Sequence, residues 1–398
     1  MAIKIKAKNE LRIVPVRFER ARKGAPDIVY PDIDDRGYNF KMPTVNGLAE
    51  SEEIRGPVMG LTKKQEIKIN MIRENIDNSA KLYITSSDED VVKVAYPKKG
   101  KKLSSGKECT IKLKGGEFAG NTPKSAKIEV RFGATDGPII YELTTYVFNP
   151  LIVNIQPHVV TIHDGAGRAG TAPKMKVNRV MEQVKALWAC CGVQFVVQKS
   201  KSFSVNLAAA NKLTFAEVNN VNNTLVVANS WIAGTINVYI VQEIDGAFGY
   251  GFSKAAHAGF GITHPGVFLG MKSGPDDRSS NTYWCANDLA HELGHFFSLW
   301  HPTDGANDAD PWSNWGREDT WSMRFMMHNY NKTFRENPPQ NGDNWPSFND
   351  FGYGTSGVEA YRSGLISMKN VRTAAGAGRD AQCSTARNYI AQGAAVLY

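Results

Sequence analysis

Hydrophobic and polar positions change rhythm twice along the chain and divide it into three stretches. Residues 1 to about 60 mix short apolar runs with Pro, Gly and charge clusters, as in KGAPDIVYPDIDDRGYNFKMPTVNGLAESEEIRGP, and hold no helical period. That pattern predicts an N-terminal arm or a small irregular module over residues 1–60. Residues 61–150 instead carry short runs, EIKINMI, AKLYITS, VVKVAY, CTIKLKG, AKIEVRF and IIYELTTYVF, parted by Gly, Asn, Asp, Ser and Lys turns. β-Branched alternation at a spacing of about ten residues predicts an all-β, Ig-like sandwich. No residue cluster in it points to catalysis.

After Asn149-Pro150 the rhythm changes again. A strand, HVVTIHD, runs into a Gly-rich turn, and a helix follows from about Met175 to Ala189 with Val177, Val180, Met181, Val184, Leu187 and Trp188 at helical spacing. Strands GVQFVVQ and TINVYIVQE come next, then the Gly-rich GAFGYGFSKAAHAGFG, a short run around PGVFLGM, and a second helix carrying HELGHFFSLW. Strands alternating with helices predict an α/β (α+β) domain over residues 151–398, with a mixed sheet covered by helices. No internal repeat or low-complexity tract interrupts it.

The chemistry gathers on that second helix. HELGH places His291 and His295 four positions apart, about 40° apart around the axis, so both imidazoles can reach one ion. Asn287 or Asp288 stands where a helix cap would be. Glu292 projects beside the pair, able to accept a proton from metal-bound water without being a ligand. By chance an H-E-x-x-H string arises in about one chain of this composition in a hundred, and a third histidine, His301, lowers that further. Three imidazoles with one open position make the ligand set of a catalytic zinc, since a structural zinc closes all four places. Zinc acidifies bound water and polarises a carbonyl, so amide hydrolysis follows, with Glu292 passing the proton on to the leaving amine.

HELGHFFSLWH resembles the H-E-x-x-H-x-x-G-x-x-H motif of the metzincin metallopeptidases. The helix before GVQF, the INVYIV strand and the Gly-rich segment before the active helix follow a similar order, so the resemblance covers about residues 151–398. His301-Pro302 looks most like the serralysin branch, although no glycine-rich calcium repeats follow. The resemblance implies zinc held by His291, His295 and His301, with Glu292 as general base. It also implies a Met-containing turn as a packing floor, offered here by Met326 or Met327, and an oxyanion-supporting tyrosine, Tyr330. The Met-to-Tyr spacing is longer than in the astacin and serralysin pattern. The motif's glycine is Ser298 in this chain, and a non-Gly residue with positive φ costs on the order of 1 kcal/mol. Glu318 and Asp319 lie at a distance resembling the third ligand of gluzincins, and Asp304, Asp308 and Asp310 are further carboxylates that compete with His301.

The other histidines read more simply. His257 and His264 flank the segment that lines the cleft in metzincins, His328 sits in the Met-turn stretch, and His158 and His163 are strand or loop residues. PGVFLG reads as the cleft's edge strand, open to an extended peptide.

Composition changes the picture little. The positive excess belongs to the first part of the chain, since residues 1–150 hold 27 Lys+Arg against 20 Asp+Glu within a formal charge of +8 overall. Acidic residues are interspersed and no nucleic-acid module is recognisable, so no nucleic-acid partner is expected. No apolar run is long enough to cross a bilayer, and MAIKIKAKNELRIVPVRFER lacks the apolar core of a signal peptide. Export by a dedicated secretion apparatus, or a cytoplasmic life, is the expectation. Five cysteines make no disulfide framework, although Cys285 and Cys383 could pair in an oxidising compartment; no cysteine switch is seen beyond the weak candidate Cys109. Two functions fit: a zinc endopeptidase of protein or peptide substrates whose N-terminal region meets a secretion or delivery partner, as in a bacterial effector or toxin, and a partner-binding protein with a structural or degenerate zinc site. An intact Glu292 favours the enzyme.

Overall fold

A computed structural model describes residues 15–20, 33–34, 58–164, 172–189, 191–207, 213, 230–244, 247–252, 264–273, 276–277, 282–299, 370–372 and 379–393. The chain separates into two compact units, with the change at Asn149 and Pro150.

The first unit contains strands alone. β1 (Val16–Arg20), β4 (Glu66–Arg73), β7 (Glu108–Gly115) and β6 (Val92–Tyr96) form one sheet in that order. The second sheet runs β2 (Ile33–Asp34), β3 (Val58–Thr62), β9 (Ile139–Phe148), β8 (Lys124–Phe132) and β5 (Leu82–Ser86). Alternation explains the burial: β7 reads Glu108, Cys109, Thr110, Ile111, Lys112, Leu113, and every second side chain is buried. Phe18, Ile69, Met71, Ile111 and Leu113 of the first sheet share one apolar cluster with Met59, Leu61, Ile128, Val130 and Leu143 of the second. β1 and β2 arise within residues 1–60, where an irregular arm was expected. VRFER alternates over only five residues between charge clusters, too short to register as a period, yet Val16 and Phe18 are fully buried. Arg73 is also buried; its guanidinium donates to the carbonyls of Gly106, Ser104 and Ala80 and lies 2.9 Å from Cys109 Sγ. That satisfies most of its donors without a carboxylate.

The second unit is built on a mixed seven-stranded sheet. Its main order is β11 (Val193–Val197), β10 (Leu151–Asp164), β13 (Ile236–Glu243), β15 (Gly266–Ser273) and β14 (Gly249–Phe252). β12 (Lys201–Leu207) also pairs with β10, and β16 (Asp276–Asp277) with β15. β10, β11, β12, β13 and β15 run parallel, whereas β14 and β16 are antiparallel to β15. β10 pairs with β11 over Leu151–Ile155 and with β12 over His158–Asp164. At the switch, Gln156 Nε2 donates to Lys199 O at 2.9 Å and so fills the break in the ladder.

Helix α1 (Val177–Ala189) buries Val180, Met181, Val184, Leu187 and Trp188, the positions its 3.6-residue period selects. Helix α2 (Thr282–Phe296) packs beside it. Trp188 Nε1 donates to Ala290 O at 3.3 Å, and its ring meets Phe297 edge-on at 5.0 Å. Phe195 of β11 stacks on Phe297 in turn. These aromatics fix the far end of α2 against α1 and the sheet. A two-stranded ribbon, β17 (Asn370–Arg372) with β18 (Arg379–Ala381), leads into helix α3 (Gln382–Ala391), whose Arg387 donates to Cys191 O at 2.7 Å beyond the end of α1. Among the described residues, Cys109, Cys191 and Cys285 are buried, and Cys285 Sγ lies 3.9 Å from Met271 Sδ; the side chain of Cys383 lies outside the described residues. No helix among them is long and apolar enough to cross a membrane.

Trp188→Ala should destabilise the chain by about 3–5 kcal/mol, because it empties a packed aromatic site and orphans a contact to α2. Denaturant unfolding measures it, and a cost below about 1 kcal/mol would mean that the aromatic cluster does not hold α2 in place.

Candidate metal centre and general base

α2 begins at Thr282, so Asn287 and Asp288 lie within the helix and do not cap it. Cys285, Ala286, Leu289, Ala290 and Leu293 are buried along it and extend its apolar period upstream of HELGH, which moves the start back. Asp288 is itself buried.

His291 and His295 stand one turn apart with ring centroids 4.8 Å from each other and planes at 85°. His291 is 4% exposed. How His295 is held depends on the end of the helix. Ser298 N donates to His295 O and Leu299 N to Gly294 O, both at 2.9 Å, the paired bonds of a Schellman end. That motif needs a left-handed residue between them, and Ser298 has φ 65°. The turn expected of glycine is thus made by serine. It brings Leu299 O to 2.8 Å from His295 Nδ1. A carbonyl only accepts, so Nδ1 carries the hydrogen, and in the neutral ring Nε2 keeps the lone pair that can bind a cation.

Glu292 is 8% exposed. Burial pushes its carboxyl up to about 8 from 4.5, and the Gly251 backbone N–H, which donates to it, offsets part of that rise. Burial thus favours the protonated acid over the carboxylate.

The described residues thus join His291, Glu292 and His295. His301, Tyr330, Met326 and Met327 lie outside the described residues, as do Glu318, Asp319, Asp304, Asp308, Asp310, His257 and His328. Among the described residues no group of three or more His, Cys, Asp or Glu could hold a metal. Two adjacent imidazoles, one with its Nδ1 saturated by a carbonyl, are nonetheless donors of the kind zinc takes, as far as the described set goes.

Two other histidines have structural surroundings. His158, buried in β10, has Nε2 3.0 Å from Asn237 Oδ1 and stacks on Tyr239 at 5.0 Å; burial lowers its proton affinity. An Asn inside the apolar run TINVYIV was the available signal for that partner. His264 meets Trp231 edge-on at 5.0 Å. The PGVFLG strand is not the edge. β15 lies between β13 and β14, and β14 ends the main sheet order. A Gly-rich strand of four residues gives little β signal, so the stronger apolar run looked like the rim. The glycines of β14 at positions 249 and 251 were likewise unseen as site residues; their spacing of two was the only sign.

No protein-family model and no curated protein matches the chain. Among solved structures, mature mirolysin of Tannerella forsythia with a cleaved peptide is similar over 41% of this chain and 69% of that one, at 14% identity and a TM-score of 0.28. A mirolysin complex with a small compound gives 40%, 68%, 13% and 0.27. A family 123 glycoside hydrolase from Clostridium perfringens is similar over 25% of this chain and 26% of its own, at 14% identity and a TM-score of 0.15. Likeness of this degree assigns nothing, and the site stands on its own side chains.

Ser298→Gly should raise stability by roughly 0.5–1 kcal/mol, the relief of left-handed strain exceeding the extra freedom of glycine in the unfolded chain. Ser298→Val should lower it; the reverse order in thermal melts would show that φ is not the controlling quantity. The metal-free chain should also lose stability as pH rises. Glu292 holds its proton more tightly folded than unfolded, so its contribution is whole below about 4.5 and is lost as pH climbs through about 8. Glu292→Gln should flatten that slope in melts of chelated protein, and an unchanged slope would assign it to another group.

Proposed function

We propose that this chain is a zinc-dependent endopeptidase that hydrolyses peptide bonds of protein or peptide substrates. The observation that carries the reading is the arrangement on α2: two imidazoles one turn apart, His295 locked by Leu299 O, and between them in sequence a buried carboxyl with its proton affinity moved toward neutral. In this reading His291, His295 and His301 hold the ion. Zinc supplies a Lewis acid that polarises a carbonyl and makes water a stronger acid at neutral pH. Glu292 takes the proton of the attacking water and hands it to the departing amine nitrogen. On the same reading Tyr330 would support the oxyanion and Met326 or Met327 would form the packing floor.

An extended substrate would lie along β14, which among the described residues pairs only with β15 and so has one backbone edge open to a further strand. We read the first unit, with its two sheets on one core, as an Ig-like sandwich that targets or delivers the peptidase, in keeping with a secreted effector or toxin and a secretion-apparatus partner. The absence of catalytic clusters from its sequence supports that division of labour.

Glu292→Ala should lower turnover by about 10²–10⁴-fold while zinc content and melting temperature stay near the parent's. His295→Ala should lose zinc by elemental analysis. Substantial cleavage by the Glu292 variant would sink the mechanism. Zinc in the parent without cleavage of denatured proteins or peptide libraries would favour a binding protein with a structural zinc.

A further inference from the structure

We infer that Gly249 and Gly251 of β14 are positioning residues for Glu292: their missing side chains make the space the carboxylate occupies, and the Gly251 N–H holds it there. The inference rests on the peptidase reading and adds the part of the sheet that sets where the base stands.

A strand alternates its faces, so Gly249 and Gly251 point to one side and Tyr250 to the other. Tyr250 packs on the cluster formed by Val160, Tyr239, Val241 and Phe268. The glycine side is laid against α2. A Cβ on Gly249 would stand 2.4 Å from Glu292 Cγ, 2.9 Å from its Cδ and 2.9 Å from Phe268 O. A Cβ on Gly251 would stand 1.9 Å from Glu292 O and 3.0 Å from His295 Cβ. Carbon atoms do not approach so closely without displacement. Neither glycine has a positive φ, so backbone conformation does not require them and space does.

The two positions act on different atoms. At 249 the added methyl meets the base's own side chain, near the middle and not at its mobile tip, so the carboxylate must leave its place. At 251 it meets the helix backbone and the root of a metal-binding imidazole, so strand and helix must part. The Gly251 N–H adds to the hold by donating to the carboxylate from the strand.

Turnover, KM, zinc content and melting temperature of Gly249→Ala and Gly251→Ala separate these effects. Gly249→Ala should lower kcat by roughly tenfold or more, since small misplacements of a reacting group carry such penalties, with KM and zinc content at parental values. Gly251→Ala should lose zinc as well as kcat. A Gly249→Ala variant with parental kcat, in a protein whose Glu292→Ala form is inactive, overturns the inference and leaves the peptidase reading intact. A second measurement needs no substrate. In melts, Gly249→Ala should cost less in a Glu292→Ala background, because Cγ and Cδ are gone and only the contact with Phe268 O remains. Equal costs in the two backgrounds overturn the inference whether or not the chain proves to be a peptidase.

Discussion

Burying the polar face of α2 is the constraint on which the second unit depends. Imidazoles and a carboxyl withdrawn from water are costly unless each finds a partner. His295 gives its Nδ1 hydrogen to Leu299 O. Glu292 receives the Gly251 N–H. Both partners are backbone groups, which are less free to rotate away than side chains. The precision of the site is therefore set by how two stretches of backbone are held: the turn that ends α2 and the strand β14. Trp188 and Phe195 pack on Phe297 at the first of these, and Tyr250 anchors the second from the opposite face of the sheet.

The turn shows how local conformation becomes chemistry. Left-handed geometry at Ser298 closes the two Schellman bonds, and those bonds decide where Leu299 O points. Without that carbonyl, His295 would be free to choose its tautomer. A serine can do this because the cost of its φ, about 1–2 kcal/mol, is partly offset by the smaller freedom it has in the unfolded chain compared with glycine.

Parts of this were legible in the sequence because they depend on period or spacing. HELGH fixed three groups on one helix face, the apolar positions of α1 followed a period of 3.6, and the strand runs around them announced a mixed sheet. What stayed hidden depends on contacts between distant segments. The register of β14 against β15 sets the order of the sheet, and four residues rich in glycine carry no pattern to reveal it. The space for Glu292 is an absence of side chains, which composition records only as two glycines. Asn237 looked like a polar interruption until β13 lay beside β10 and brought it to His158. The false helix cap at Asn287 and Asp288 has the opposite cause: a residue type with a strong local preference was overruled by the apolar face continuing upstream to Cys285.

Two influences compete at Glu292. Desolvation favours the protonated acid and lifts its proton affinity to the neutral range, while the Gly251 N–H favours the carboxylate. A cation beside His291 and His295 would add to the second influence, because opposite charges attract more strongly where water is excluded. The strand that lies closest to the Glu292 side chain at Gly249 also presents the Gly251 N–H to its carboxyl. A Cβ at position 249 would meet Glu292 Cγ and one at 251 the helix backbone, so side chains there would force strand and helix to shift.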